Sequence, residues 1–361
     1  MAKPKRKTSF DYGLLTVVMV LIVVGLFVLY STSSYNGQVK FQDSFYYLKK
    51  QLFATSLGIA CMYATAHIDY HIWERFAVWI YVLALILSLA VLFVGKEYNG
   101  SKRWLSFGPL SFQPSEFAKL AVIIFLAHMI VKQGKKMKKM CTLLLIMLML
   151  LPIVGLVGSS NLSTAIIILG IGVALVFVAS PLYAQFVWLA ICGVGFLTVF
   201  LALESYRLER LKIWRNPELY DKGYQTLQGL YAIGSGGLFG RGSGESIQKL
   251  GFVPEAQNDM IFAIVCEEWG LIGAAFLILL FLILIWRFFV VAVHAKDLFG
   301  AMIATGAMAH MMIQVILNIA VVTNTIPNTG ITLPFVSYGG TSVLFLLTEI
   351  GLVLNVSHLI E

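Results

Sequence analysis

The chain alternates long apolar runs with short polar connections. Runs of spanning length fall at 12–31, 46–66, 74–95, 116–131, 140–158, 161–179, 183–203, 260–287, 299–322 and 335–358. A helix needs about 20 apolar residues to cross ~30 Å of hydrocarbon, and continuous runs of that length predict membrane helices. An outer-membrane barrel would show short segments of alternating polarity instead. The predicted fold is therefore an all-α polytopic membrane protein of about ten transmembrane helices. Helices satisfy their own backbone groups in lipid, which favours this class. No repeat of solenoid period and no low-complexity linker interrupts the series, so residues 1–361 read as a single transmembrane domain.

Lysine and arginine in the short connections set the orientation. Lys3, Lys5, Arg6 and Lys7 precede the first run; Lys132, Lys135, Lys136, Lys138 and Lys139 follow the fourth; Arg287 and Lys296 follow the eighth. An even number of spans separates these groups, which puts all three, and both termini, on the cytoplasmic side. Lys40, Lys49 and Lys50 lie toward the opposite face and oppose the trend. Three polar segments then face outward: 96–115, 204–259 and 323–340. The longest, between the seventh and eighth spans, exceeds an ordinary connector. Its mixture of basic and aromatic residues at helical spacing predicts short interfacial helices.

Composition agrees. Hydrophobic residues make up 59% of the chain and charged residues 12%, with a net charge of +8; soluble domains carry about 25% charged residues. The basic residues sit beside apolar spans, so they do not form a nucleic-acid-binding surface. No cleavable signal peptide is expected, because the apolar run after the basic start is long enough to span. Cys61, Cys141, Cys192 and Cys266 lie in or at the ends of apolar segments without a CxxC pair and read as small buried residues. His67, Asp69 and His71 have ligand-like spacing but sit in a short inner connection, and no metal site is assigned to them.

Candidate chemistry concentrates in the polar segments. Gly223 to Gly270 is the one long Gly-rich polar passage, and Asp259 stands where it turns into a hydrophobic helix. Asp259 is either a helix cap, alone or through Asn258, or a base whose pKa burial would raise and a nearby cation would lower. Glu267 and Glu268, two turns deeper, read as helix-locking groups, with Lys119 as a candidate partner. In the second segment, Arg103 and Trp104 sit in an outer loop; Gln113, Pro114, Ser115 and Glu116 open a helix, with Lys119 one turn on. These residues suit either a capped helix with an interfacial tryptophan or a cationic phosphate pocket. The third segment, Asn324 to Ser342, is broken by Pro and Gly. It reads as a re-entrant connector or as a ligand-facing wall in which Ser337, Gly339, Gly340 and Ser342 approach a substrate. Neither a P-loop, a zincin motif nor a dinucleotide fingerprint is present. An enzyme facing outward, away from ATP, must use a substrate that carries its own leaving group, such as a lipid-linked pyrophosphate sugar.

These residues also carry a resemblance. Arg103-Trp104, QPSEFAK at 113–119, GYQTLQGLYAIGSGGLFGRG at 223–242, QKLGFVPEAQND at 248–259, FAIVCEEWGLIG at 262–273 and LPFVSYGGTS at 333–342 are similar to the motifs of the SEDS family (shape, elongation, division and sporulation). The wording at 233–240 and 254–259 is nearer its FtsW-like division and sporulation branch than the RodA-like branch. The resemblance implies a peptidoglycan glycosyltransferase in the bacterial cytoplasmic membrane. Such an enzyme polymerises lipid II into β-1,4 glycan strands at the outer face and releases undecaprenyl pyrophosphate. It implies a class B penicillin-binding protein, a transpeptidase, as partner, alongside other division or elongation membrane proteins. It puts the catalytic acid at Asp259, substrate contacts at Arg103, Lys119, Glu116 and Gln113, and a divalent cation (Mg or Mn) among the candidate helpers. The chain departs from the family at Asn161-Leu162-Ser163-Thr164, where an Asp is frequent, and at Asn216, Met260 and Trp269. A single inverting displacement suits one carboxylate base better than a close carboxylate pair. A flippase for the lipid-linked precursor is the rival reading; it would need polar groups reaching the cytoplasmic half. A scaffold that docks the transpeptidase is a third, compatible with the first.

Overall fold

A computed structural model describes residues 10–98, 101–107, 110–180, 183, 186 and 212–358. The chain is an all-α polytopic membrane protein: eight described helices are long and apolar enough to cross a membrane. The predicted span 183–203 lies almost wholly outside the described residues.

Helices α1 (Tyr12–Phe41), α2 (Tyr46–His67) and α3 (His71–Val94) are followed by α4 (Pro114–Gln133), α5 (Met140–Ser160) and α6 (Leu162–Ala179). Helix α2 is not among the eight apolar spans. Lys49, Lys50 and Gln51 in its first turns lower its hydropathy, yet it lies in the bundle, flanked by α1 and the last helix. Helix α4 runs through the middle of the bundle, with 83% of its spanning stretch buried against 28% for α3. Its side chains therefore face protein, which is where charged groups in a span can be tolerated.

Helix α1 runs ten residues past its predicted end at Ser31. Its 30 residues reach about 45 Å, more than a bilayer core. The extra turns carry Asn36, which donates to Gln257 at 3.0 Å, and Lys40, which pairs with Glu255 at 3.3 Å. They brace the loop that ends at Asp259.

The described residues between 96 and 112 are not the open loop expected. They form an antiparallel meander of β1 (Lys96–Tyr98), β2 (Ser101–Phe107) and β3 (Leu110–Phe112) in the order β1-β2-β3. Its register pairs Lys96 with Trp104 and Leu105 with Phe112. A donated bond from Thr341 to the Ser111 carbonyl (3.0 Å) fastens this sheet to the last helix.

The described part of the long polar segment has two 3-10 turns, Pro217–Leu219 and Asp221–Gly223, and helix α7 (Tyr224–Gly236). Then come α8 (Ile261–His294), α9 (Leu298–Val322) and α10 (Gly340–His358). The last helix starts five residues later than predicted, because 331–339 is extended and turned, with Phe335 at φ +62°.

Helix α8 is broken at Gly270 (φ +65°, ψ −165°). The break frees backbone groups, and residues 237–242 satisfy them. Arg241 and Gly242 donate to the Glu267 and Glu268 carbonyls at 2.9 and 3.0 Å; Leu271 and Ile272 donate to Gly237 and Leu238 at 2.9 and 3.2 Å. Gly240 (φ +79°) faces the Glu268 carbonyl so closely that a Cβ would collide with it. Irregular backbone at this depth survives because another stretch of chain covers its polar groups.

Antiparallel neighbours place the starts of α2, α4, α6, α8 and α10 and the ends of α1, α3, α5 and α9 at one end of the bundle. The meander, the long polar segment and 323–339 all gather there. The other end carries the lysine-rich turn Gly134–Lys138. Of the cysteines, Cys266 is buried, Cys61 is half-buried and Cys141 is exposed on α5, so the buried-residue expectation fails for Cys141. Cys192 lies outside the described residues.

Candidate active site

Asp259 lies in the turns that precede α8. The residue that caps this helix is Met260, and no side chain caps it, so the simple cap reading of Asn258 or Asp259 does not hold. Asn258 instead donates to Glu255 at 2.8 Å. The Asp259 carbonyl accepts from Asn318 at 2.9 Å. Its carboxylate accepts a long bond from Gln225 at 3.3 Å. Gln225 is held in turn by the Pro254 carbonyl (3.3 Å) and by Asn328 (3.2 Å). The other carboxylate oxygen faces Gly330 (φ +68°), 3.8 Å from where a Cβ would stand. Asp259 is half-buried. Burial is the main cause that pushes its pKa up to about 6, and the nearby Glu255 charge adds to it. Backbone N–H groups of Asp259 and Met260 and the Gln225 amide pull the other way. A carboxylate in this range is ionised at neutral pH and remains basic enough to take a proton.

Two cations approach the same end from distant sequence. Arg103, on β2, donates through Nε to the Ser160 carbonyl at 2.9 Å. It lines a crevice with Pro114, Ser115, Ser160 and Asn161 of about 10 Å³, roughly the room of one water. Arg103 of the first motif and Pro114 and Ser115 of the second thus line one crevice at the α5–α6 corner. From that corner Ser163 donates to the Thr329 carbonyl at 2.6 Å, one residue before Gly330. Lys119 is 2% exposed. It pairs with Glu116 at 3.1 Å and donates to Gln314 at 2.9 Å, so a direct phosphate contact requires its ammonium to leave these partners.

The other predicted residues divide. Gln113 donates to Ser115 at 3.1 Å, and Trp104 is half-buried on the meander. Ser342 lies beside the Glu116 carboxylate. The Ser337 hydroxyl accepts from the Leu333 N–H at 2.8 Å, and the Gly339 N–H donates to Gln51 at 3.2 Å. Both hold the 333–339 turn in this arrangement. Glu267 and Glu268 do lock elements together, but not through Lys119. Glu268 pairs with buried Lys249 at 2.7 Å and accepts from Ser31 at 2.7 Å. Glu267 accepts from Ser246 and from the N–H groups of Ile247 and Gln248. These bonds anchor the 241–252 loop to α8 and α1.

Sequence reasoning missed Gln225, Asn318, Gln314, His310, Glu349 and Lys249. A signal existed for three of them: His310, Gln314 and Asn318 recur every four residues in an otherwise apolar helix, which puts them on one face. Gln225 and Lys249 stand in polar surroundings where nothing local sets them apart.

The cell cycle protein family (FtsW/RodA/SpoVE) matches residues 12–360. The chain belongs to this family. Among its relatives is stage V sporulation protein E of Bacillus subtilis, 39% identical over 98% of each chain. Another is a probable peptidoglycan glycosyltransferase FtsW of Trichlorobacter lovleyi, 35% identical over 99% of this chain and 95% of that one. Among solved structures, a chain of a peptidoglycan synthase complex that coordinates polymerization and crosslinking superposes with a TM-score of 0.83 at 29% identity, covering 97% and 98% of the two chains. RodA of Thermus thermophilus superposes at 0.73 and 28% identity, covering 97% of each. The SEDS assignment and its FtsW-like branch therefore stand on the whole length of the chain, not only on the motifs around Asp259.

Proposed function

We propose that this SEDS chain is a peptidoglycan glycosyltransferase that polymerises lipid II at the outer face of the cytoplasmic membrane, with Asp259 as its base. The observation that carries the assignment of the base is the setting of Asp259. It is a half-buried carboxylate with a raised pKa, one oxygen held by Gln225 and the other facing the bare backbone of Gly330. Asp259 takes the proton of the acceptor's 4-hydroxyl as that oxygen attacks the anomeric carbon of the donor. The carbon–oxygen bond to the pyrophosphate breaks, and its electrons leave with undecaprenyl pyrophosphate. Arg103 at the rim and Lys119 beneath it offset the charge that develops on the leaving group. The lysine-rich opposite end is cytoplasmic by the positive-inside rule, which leaves Asp259 outside and both termini inside. The class B penicillin-binding protein is the expected partner, by analogy with the synthase complex.

Among the described residues no group of three or more His, Cys, Asp or Glu could hold a metal. A divalent cation (Mg or Mn) needs no such group, since one or two carboxylates together with the substrate's phosphates suffice to hold it; Asp259, with the Glu255 charge nearby, is the acid that would do so. The flippase reading needs a wet polar route. The polar side chains inside the bundle at Glu116, Lys119, His310, Gln314 and Glu349 are each 8% exposed or less, which favours an enzyme.

The test is polymerisation of lipid II by purified full-length protein with its transpeptidase partner. Asp259→Asn should lower the rate by about 10²–10⁴-fold, the usual worth of a general base. The wild-type rate should rise with pH through about 6, as the base loses its proton. Normal polymer from the variant would refute the role.

A further inference from the structure

Helix α9 carries a ladder of buried polar groups. His310 and Gln314 are each 2% exposed and Asn318 is 0% exposed. Successive members are four residues apart and share a face. Asn318 donates to the Ile331 carbonyl at 2.7 Å and to the Asp259 carbonyl at 2.9 Å. Gln314 donates to the Thr332 carbonyl at 3.0 Å, and its oxygen faces both Lys119 Nζ and His310 Nε2 at 2.9 Å. On the far side of the imidazole, His310 Nδ1 meets Glu349 of α10 at 2.8 Å.

The chemistry of these groups fixes the orientation of each. Turning the Gln314 amide over would set its NH₂ against the lysine ammonium and its oxygen against a carbonyl, so the amide has one allowed orientation. A carboxamide oxygen can only accept. Nε2 of His310 must therefore carry a hydrogen. The proton between Nδ1 and Glu349 sits on one or the other, and the pair is neutral in sum in both cases. Lys119 and Glu116 likewise offset each other, so the whole ladder carries no net charge into the membrane interior.

We propose that the buried His310–Glu349 pair is a positioning device for the reaction. It pins the Gln314 amide, which then holds Lys119 on one side and the 330–332 segment, with Gly330 facing Asp259, on the other. Neither His310 nor Glu349 touches substrate. The proposal rests on the reading of Asp259 as the base and adds residues about two turns deeper in the bundle, on two helices that otherwise carry only Gly340 and Ser342 of the predicted site.

The experiment uses the full chain with its transpeptidase and lipid II. In His310→Leu/Glu349→Leu both ionisable partners are removed together, so no charge is left unpaired, and replacing such a pair by apolar groups is often neutral or stabilising. The double variant should melt at or above the wild-type temperature. Its kcat should fall about tenfold to hundredfold, as displaced catalytic groups do, with the KM for lipid II within about twofold. A folded double variant with wild-type kcat would overturn the proposal, since a purely structural pair predicts that result. If the double variant does not fold, Gln314→Met decides, because it leaves His310–Glu349 in place and removes only the bridging amide; unchanged kcat there also overturns the proposal. Nitrogen-15 spectra of labelled histidine should show the His310 signal, identified by its loss in the double variant, with hydrogen on Nε2; a bare Nε2 overturns the proposal independently of activity. Failure of the wild-type protein to polymerise lipid II would instead refute the proposed function itself.

Discussion

Substituting Asp259 by asparagine should cost activity and increase stability at neutral pH. An aspartate has an ordinary pKa of 3.8, and burial lifts Asp259 to about 6 in the folded protein. At about 1.4 kcal/mol for each tenfold change in proton affinity, the ionised carboxylate destabilises the fold by about 3 kcal/mol. Between pH 3.8 and 6 the folded state holds the proton more tightly than the unfolded one, so stability falls as pH rises through this window. Below it the penalty vanishes; above it the penalty is complete. Asparagine has nearly the same shape and no charge to desolvate, so Asp259→Asn removes the penalty. The carboxylate is only half-buried, and solvent screening lowers the expected gain to about 1–3 kcal/mol. For a chain of 361 residues that corresponds to roughly 1–4 °C in melting temperature. The assay is tryptophan-fluorescence melting of both proteins in the same detergent at pH 7.5 and pH 4. The variant should melt higher at pH 7.5, and the gap should close at pH 4. A variant that melts at or below the wild type at pH 7.5, or a gap that persists in acid, would refute the argument that the site stores an unfavourable charge. Active sites hold such charges because chemistry needs them and folding does not.

Lys249→Met leaves Glu268 buried with, among the described residues, only Ser31 as a side-chain partner, and should cost about 3–5 kcal/mol in thermal unfolding. Adding Glu268→Leu should restore most of that loss, because no buried charge then lacks its counterpart. Gly330→Ala forces a side chain into φ +68°, worth about 1–2 kcal/mol of stability, and places a methyl group opposite the free face of Asp259. Lipid II polymerisation should fall further than the melting temperature accounts for, measured on the same preparations.

Much of the architecture was legible in the sequence because a lipid solvent imposes a local rule. Every span must be a helix and must be apolar outward, and the run lengths report that rule directly. Asp259, Arg103 and the 113–119 motif were equally visible, since polar residues interrupting greasy sequence are conspicuous. The limits of the rule are also visible. Helix α2 was legible as the run at 46–66, although Lys49 and Lys50 in its first turns leave it outside the eight most apolar spans. In the meander at 96–112, β1 and β3 are three residues each, too short to show a period, and β2 (SKRWLSF) does not alternate strictly.

Which groups meet was decided by tertiary structure alone. Glu268 and Lys249 are close in sequence, yet they pair only because the loop at 241–252 folds back along the broken helix at Gly270. Lys119 takes Glu116 and Gln314, not the glutamates of α8. The pKa of Asp259 depends on burial beneath residues from three separate segments. A sequence displays the local period and polarity of each element. Burial, desolvation and hydrogen-bond partnership are properties of elements brought together, and at this site they come from residues as far apart as Ser31 and Glu349.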